Sequence, residues 1–561
     1  MVRNKLLTVA VVVAVCGSLV PAVAVAGPTA TDASADDWTA SQGDAQNTNA
    51  NDADGPTGPN ATVARQFPDG GAESDIGRPS VPAVVNGTAY VGYDDSGSSA
   101  TYVSKGRVIA YDTASGEVEW NQSDIPGFTE TPTVADGYVY VTSSGDGADT
   151  DDDPANQTAG VYALNATTGE IAWTRTGSDA GNFVVSDGRM YVETGANLTA
   201  LNASTGETVW TRPAEQDAFD MAVDDGTLVR REGGPSGNET TLRGVNASTG
   251  DVRWNATLTG TDTFDNYYVV PERSTVSAAD GTAYLTVGDR TLSAVSLDDG
   301  SIEWERTVTN EKRNLETQWL SPPAVKHDTV YVSTLHGSDD GDNSTVFALN
   351  ATTGETEWQA YNDAKLFAPT VSNDTVFLPA EQVTVEGQQY GSAPRDGVFA
   401  LDATSGEIRW TYALPGLAHS SRLSAAPAEG ALYVRTTTWD VYSDDGRVYA
   451  LESTANATPA DSRFILQDDP RTKPFVSIET DPANAGDRDL DAGTNVTLTA
   501  DASDPDGDVT TIEWDGDEDG EFEQSGESIT VPLNYCGTLT VTVRVTDDSG
   551  ETAVESVELT T

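Results

Sequence analysis

One phrase, repeated seven times, constrains this chain more than any other feature. In its fullest form it reads Ala-Leu-Asn-Ala-Thr-Thr-Gly-Glu-x-x-Trp, and its tryptophan falls at Trp120, Trp173, Trp210, Trp254, Trp304, Trp358 and Trp410. A glycine stands four residues before each one: Gly116, Gly169, Gly206, Gly250, Gly300, Gly354 and Gly406. A small residue stands ten before: Ala110, Ala163, Ala200, Gly244, Ala294, Ala348 and Ala400. Chemically the phrase is a β-hairpin. An alternating strand runs into Asn or Asp, whose side chain caps its own turn. Gly then accepts positive φ, and a return strand begins.

A second hairpin precedes the first in most repeats, turning on Asp-Gly, as in residues 132–141, 185–192 and 277–285. The copies are 37 to 54 residues apart, room for four short antiparallel strands and their loops. That unit is a propeller blade, and the regular Trp is expected to dock over a small residue of the next blade. An eighth copy is degenerate. Ala425–Val434 supplies its first hairpin and Arg447–Leu451 its third strand, while Asn456 and Ala460 stand at the Gly and Trp positions. Asp37-Trp38-Thr39 precedes the first blade without a partner. We expect an N-terminal segment to provide the outer strand of the last blade, leaving no open edge. The expected fold is all-β: an eight-bladed β-propeller over residues 37–467, a linker at 468–473, and an immunoglobulin-like β-sandwich over 474–561.

Charge narrows the setting. The chain carries 89 acidic and 30 basic residues, a net charge of −59. Such a surface repels itself at low ionic strength. At molar salt the Debye length falls to about 3 Å and the repulsion is screened, so the composition fits strong brine. No basic stripe exists to neutralise phosphates, which excludes nucleic-acid binding. Arg3 and Lys5 precede an apolar run from Leu6 to Ala26 that ends Ala24-Val25-Ala26 before Gly27. This pattern predicts a signal peptide over 1–26, a polar linker over 27–36, and an extracellular or cell-surface protein. Membrane attachment is expected only if the leader stays uncleaved or Cys16 is lipidated. Cys536 is the one cysteine beyond the leader, which excludes an intramolecular disulfide. Fifteen Asn-x-Ser/Thr sequons occur, among them Asn86, Asn165 and Asn495.

The Trp phrase resembles the tryptophan-docking motif of pyrroloquinoline-quinone (PQQ) dehydrogenase propellers and of their cofactor-free relatives, which include a propeller lipoprotein of outer-membrane protein assembly. The resemblance covers residues 37–467, in a form suited to an exported protein of halophilic archaea. The opening Trp38…Gly43-Asp44-Ala45-Gln46-Asn47-Thr48 looks like the N-terminal phrase of the cofactor-free group. The family's chemistry does not carry over. The chain has no adjacent cysteine pair, and no residue matches by motif the family's Ca²⁺ ligands, catalytic Asp or quinone-facing base. His327, His336 and His419 are scattered, and no Ser-His-Asp or Cys/His metal phrase is present. The expectation is therefore a non-enzyme without PQQ, the alternatives being a PQQ-dependent oxidoreductase with an atypical site or a propeller that assists assembly of envelope proteins.

From Pro474 onward the chain resembles a polycystic-kidney-disease (PKD) domain, on Ala502–Asp508, Glu513-Trp514-Asp515 and Thr540–Gly550. That resemblance implies a spacer or adhesion module. Within it, Asp515, Asp517 and Asp519 have the alternating spacing that places oxygens around Ca²⁺. Gly526 stands at the twelfth position, so the loop is not an EF-hand. Long, varied loops at about 93–105, 143–159, 335–344, 380–396 and 437–446 all leave the blades opposite the uniform Asn/Thr/Gly turns. Variable loops on a rigid scaffold are where binding concentrates, so that face is expected to hold a protein or glycan partner.

Overall fold

In the computed structural model the described residues are 37–453 and 475–561, excluding 54, 57–60, 68–77, 96–104, 127–130, 144–158, 177–179, 195, 215–217, 233–238, 261–274, 289, 309–317, 337–343, 363–364, 384–394, 415–419, 439–445, 483–484, 486–489, 491–492, 504–508, 517–521, 534–536 and 548–551. The leader, Cys16, Cys536, Asn456 and Ala460 lie outside them.

Every regular element described is a strand or a short turn. Eight sheets of four or more strands occupy residues 50–453; six are built of strands consecutive in sequence, while the seventh adds Ala50–Asn51 and the eighth Ala61–Phe67 from the N-terminal segment. The second is typical: Thr133–Ala135, Tyr138–Ser143, Gly160–Asn165 and Ile171–Thr176, inner to outer. Local chemistry sets the first hairpin. Asn86-Gly87, Asp136-Gly137, Asp187-Gly188, Asp225-Gly226, Asp280-Gly281 and Glu429-Gly430 all have positive φ at both positions. This is the turn geometry whose twist matches that of paired strands.

The phrase tryptophans join neighbouring sheets by one repeated device. The Trp254 indole N–H donates to Leu297 O at 2.7 Å, on the turn of the next sheet. Trp120 does the same to Ala166 O at 2.8 Å, Trp173 to Ala203 O at 2.9 Å, Trp210 to Ala247 O at 3.1 Å, Trp304 to Ala351 O at 2.8 Å and Trp358 to Ala403 O at 2.9 Å. The ring lies flat on the neighbour's turn glycine. A Cβ on Gly300 would sit 2.6 Å from Trp254 Cε3, and its φ is +75°. The small residue has a different place from the expected one. Ala294 pairs with Trp304 and Gly244 with Trp254 inside a single sheet. The small residue therefore makes room beneath its own sheet's ring, and the neighbour contributes the glycine.

The eighth sheet closes differently. Its outer strand is Ala61–Phe67, antiparallel to Arg447–Ser453. Ala450 faces Arg65, so Arg65 from the N-terminus holds the register position assigned from sequence to Ala460. Arg65 pairs with Glu452 at 2.8 Å. Phe67, fully buried, packs on Tyr111 of the first sheet with ring centroids 4.9 Å apart. Trp410 donates to Pro56 O, of the N-terminal segment, at 2.6 Å.

The C-terminal unit is a two-sheet sandwich. Phe475–Asp481, Asn495–Ser503 and Ser528–Pro532 form one sheet. Gln524–Ser525, Val509–Asp515, Thr538–Asp547 and Thr552–Thr560 form the other. Trp514, fully buried, anchors the core with Leu498, Val541 and Val543.

Candidate functional site

The N-terminal phrase crosses the axis of the ring. Asp44 organises it: one carboxylate oxygen accepts from the Gln46 and Thr48 N–H groups at 3.1 and 3.0 Å, the other from Thr48 Oγ1 at 2.6 Å. Burial raises the Asp44 pKa, and these hydrogen bonds offset part of that rise. Asn47 and Asn49 take φ of 55° and 50°, which turns the segment so that successive carbonyls face outward toward different sheets.

Those carbonyls are met by inner-strand N–H groups. Val134 donates to Thr39 O at 2.7 Å, Val223 to Ala45 O at 2.9 Å, Ala278 to Gln46 O at 2.8 Å, Val325 to Thr48 O at 2.7 Å and Val371 to Asn49 O at 2.9 Å. Trp38 exchanges both backbone bonds with Val84 at 2.8 and 2.7 Å. In the eighth sheet the equivalent residue is Pro427, which has no N–H. There the contact reverses, and Asn51 Nδ2 donates to Pro427 O at 2.6 Å. The third sheet is met by packing, where Ala45 lies against the cluster holding Val184. Residues 38–51 thus form a strap across the turn-side end of the ring. Trp38, which the sequence left without a partner, is its fully buried first anchor.

The strap partitions the axis. On one side a cavity of about 700 Å³ is lined by Arg78, Ser80, Thr131, Asn182, Asp220 and Arg435, among others, with Gln42 and Asn47 reaching in from the strap. On the other a cavity of about 550 Å³ meets Asp37, Asp52, Asp280, Lys326 and His327. Asp52 is ion-paired with Lys326, which lowers its pKa.

Asp220 is the most perturbed carboxyl in the larger cavity. It accepts from the Val276 N–H at 2.8 Å and from Asn47 Nδ2 at 3.3 Å. Its position deep in the ring raises its pKa to about 7; those hydrogen bonds and the charge of Arg231 oppose the rise without cancelling it. Nearby, Arg230, Glu193, Glu232 and Arg243 form a buried ionic cluster between the third and fourth sheets, with Arg230–Glu232 at 2.7 Å and Arg243–Glu232 at 3.0 Å.

A quinone cofactor of the PQQ type presents three carboxylates on a flat ring. Among the described lining residues Arg78 and Arg435 face Asp44, Asp136 and Asp220, and Phe183 is the only aromatic ring. This set offers too little positive charge and no pair of planar walls, so the described residues do not fit that cofactor.

Of the sites read from sequence, Asp515 ends the strand Val509–Asp515 and is buried, while Asp517 and Asp519 lie outside the described residues. Most of each long loop, and His419, lie outside them too. His327 occupies the inner hairpin turn of the sixth sheet at φ 51°, and His336 ends the strand Thr329–His336. Sequence reading missed Arg78, Asp220 and the crossing of the axis. The Gly43–Thr48 phrase was the available signal; its place in the ring was not.

Comparison with known proteins follows from this geometry. A family model described as outer membrane protein assembly factor BamB matches residues 52–179, 157–379 and 342–460, and a PKD domain model matches 483–557. The outer membrane protein assembly factor BamB of Yersinia pestis is 29% identical over 168 residues. That stretch covers 30% of this chain and 37% of the relative, so the match spans little more than a third of the relative's length. The quinohemoprotein alcohol dehydrogenase of Pseudomonas putida HK5 superposes with a TM-score of 0.51 at 14% identity, covering 79% of this chain and 83% of that one. BamB of Moraxella catarrhalis superposes at 0.44 with 15% identity, covering 70% and 99%. The likeness to the dehydrogenase is one of fold.

Proposed function

Because this chain belongs to the repeat family described as outer membrane protein assembly factor BamB and carries a PKD domain, we propose that it is an exported, non-catalytic propeller that holds a protein or glycan partner at the cell surface in strong brine. The observation that carries this reading is the strap. Bonded to seven of the eight sheets, it stiffens the ring and closes the turn-side end of the axis. Asp37 and Glu452 also lie at that end. The Asn86 N–H donates to Asp37 Oδ1 at 3.3 Å beside the first turn, and Glu452 pairs with Ala431 just after the last. The opposite end, where the sequence leads us to expect the long loops, is left for a partner. The relative's name assigns protein assembly to that relative; a protein partner is the part of it that extends to this chain. The PKD-type sandwich serves as a spacer. Membrane attachment belongs to this reading only if the leader stays uncleaved or Cys16 is lipidated.

The test is cross-linking of the full chain at native salt, beside a variant in which loops 143–159 and 380–396 are replaced by short Gly/Ser turns. A partner captured by the parent and lost in the variant supports the reading. Saturable PQQ binding with Ca²⁺ and dye-coupled turnover of an alcohol or sugar would establish an oxidoreductase instead.

A further inference from the structure

We propose that Asn165, Asn202, Asn246 and Asn350 are N-glycosylated, which sets sugars on the outer turns of the second, third, fourth and sixth sheets. The proposal rests on the export in the proposed function and is separate from the partner at the opposite end.

The repeated turn shows which of its atoms the fold uses. Its cap works through one oxygen. Asn165 Oδ1 accepts from the Thr167 and Thr168 N–H groups at 2.9 and 3.0 Å, and Asn202 Oδ1 from the Thr205 N–H at 3.0 Å. Asn246 Oδ1 accepts from Ser248 and Thr249 at 2.9 and 3.1 Å, and Asn350 Oδ1 from Thr352 and Thr353 at 3.1 and 3.0 Å. Asp402 makes the same pair of bonds in the seventh sheet, both at 2.9 Å. A carboxylate therefore caps as well as an amide, and a chain with 89 acidic residues has no compositional reason to prefer Asn. The amide nitrogen is surplus to the turn. Nδ2 of Asn165, Asn202 and Asn246 bonds to no described residue, and that of Asn350 donates to exposed Glu357 at 3.1 Å.

The hydroxyls divide in the same way. Three residues after the cap they are structural. Thr168, Thr205, Thr249, Thr353, Ser405 and Ser115 each accept the N–H of the residue two further on, at 3.2 or 3.3 Å. Two residues after the cap, Thr167, Ser204, Ser248 and Thr352 are all exposed. Ser204 Oγ turns back to Asn202 Oδ1 at 2.8 Å, and the other three hydroxyls bond to no described residue. Ala114 and Asp298 fill this position in the first and fifth sheets, so the turn needs no hydroxyl there. All four Asn caps thus carry two groups that the fold does not require. Together those groups are the acceptor pattern Asn-x-Ser/Thr.

Other sequons lack this freedom. Thr199, two after Asn197, is buried and its hydroxyl meets those of Thr194 and Thr211. Thr375, two after Asn373, is buried and its hydroxyl bonds to Asp374 and Arg409. These two sequons are expected to stay bare. In the transfer, Nδ2 attacks the anomeric carbon of a lipid-phosphate-linked glycan. The nitrogen–carbon bond forms, and the bond from that carbon to the phosphate oxygen breaks. The lipid phosphate leaves with the electron pair, and one Nδ2 proton passes to a base of the transferase.

The experiment is glycopeptide mass spectrometry of the full chain recovered from its source cells and their medium at native salt. Sugar is expected on most copies at each of the four turns and on none at Asn197 or Asn373. Asn165→Asp and Thr167→Ala copy the turns of Asp402 and Ala114. Each should remove the sugar at residue 165 and shift the melting temperature by under about 2 °C. Thr168→Ala keeps the acceptor pattern and removes a bond of the turn, so the melting temperature should fall and the sugar remain. An exported chain with bare turns, or with Asn197 and Asn373 as fully occupied as the turns, overturns the proposal and leaves export standing. A chain retained in the cell with bare turns overturns both. Sugar at residue 165 that survives Thr167→Ala, or is lost equally in Thr168→Ala, also overturns it.

Discussion

Gly300 and Trp254 show how much one residue pair decides. The ring needs a flat, Cβ-free seat, and the turn needs positive φ; glycine satisfies both. Trp254→Ala removes a buried ring and should cost about 3–5 kcal/mol, read from thermal or denaturant unfolding at high salt. A change under about 0.5 kcal/mol would mean that the ring is not part of the core. Asp220 gives the pH prediction. Its folded pKa of about 7 lies above the ordinary carboxyl value near 3.9. Between those values the folded chain holds the proton and the unfolded chain has released it. Stability should therefore fall as pH rises from about 4 to about 7, and the loss should persist above, by at most about 4 kcal/mol. Asp220→Asn should flatten that slope, as measured by melting temperature against pH. An unchanged slope would show that the carboxyl is ionised throughout.

At the scale of elements, the hairpins were legible in the sequence because they are local. Asn or Asp, Thr and Gly at fixed offsets define a turn without reference to anything distant. Asn165 Oδ1, for instance, accepts from its own Thr167 and Thr168 N–H groups at 2.9 and 3.0 Å. The strap was not legible, since its hydrogen bonds go to inner strands as far as 322 residues away, Asn49 to Val371. Nothing periodic marks it. Asn47 is its critical side chain, donating to Met221 O at 2.8 Å and reaching Asp220, at a φ of 55° that alanine tolerates poorly. Asn47→Ala should cost about 2–3 kcal/mol. If the strap is independent of the ring, the loss will be below about 0.5 kcal/mol in denaturant unfolding.

For the whole molecule the governing quantity is net charge. With −59 on the chain, folding gathers like charges, and salt must screen them. Melting temperature should rise steeply from about 0.1 M to about 3 M KCl, with loss of the β circular-dichroism signal at the low end. A flat salt dependence would mean that the acidic surface plays no part in setting the working environment. The buried network of Arg230, Glu193, Glu232 and Arg243 should respond little, since it is shielded from added ions.

The sequence by itself determined the repeat, the turn in each blade, the change of character near Pro474 and the acidic surface. Each is written in neighbouring residues or in composition. Only the tertiary structure decided that the small residue lies beneath its own sheet's Trp, that Arg65 and Phe67 replace the eighth docking ring, and that residues 38–51 divide the axis into two cavities. The reason is physical. A turn is specified by the residues that make it. A seam or a cavity is specified by which distant backbone groups come within hydrogen-bonding reach, and that is known only once the sheets are packed into a ring.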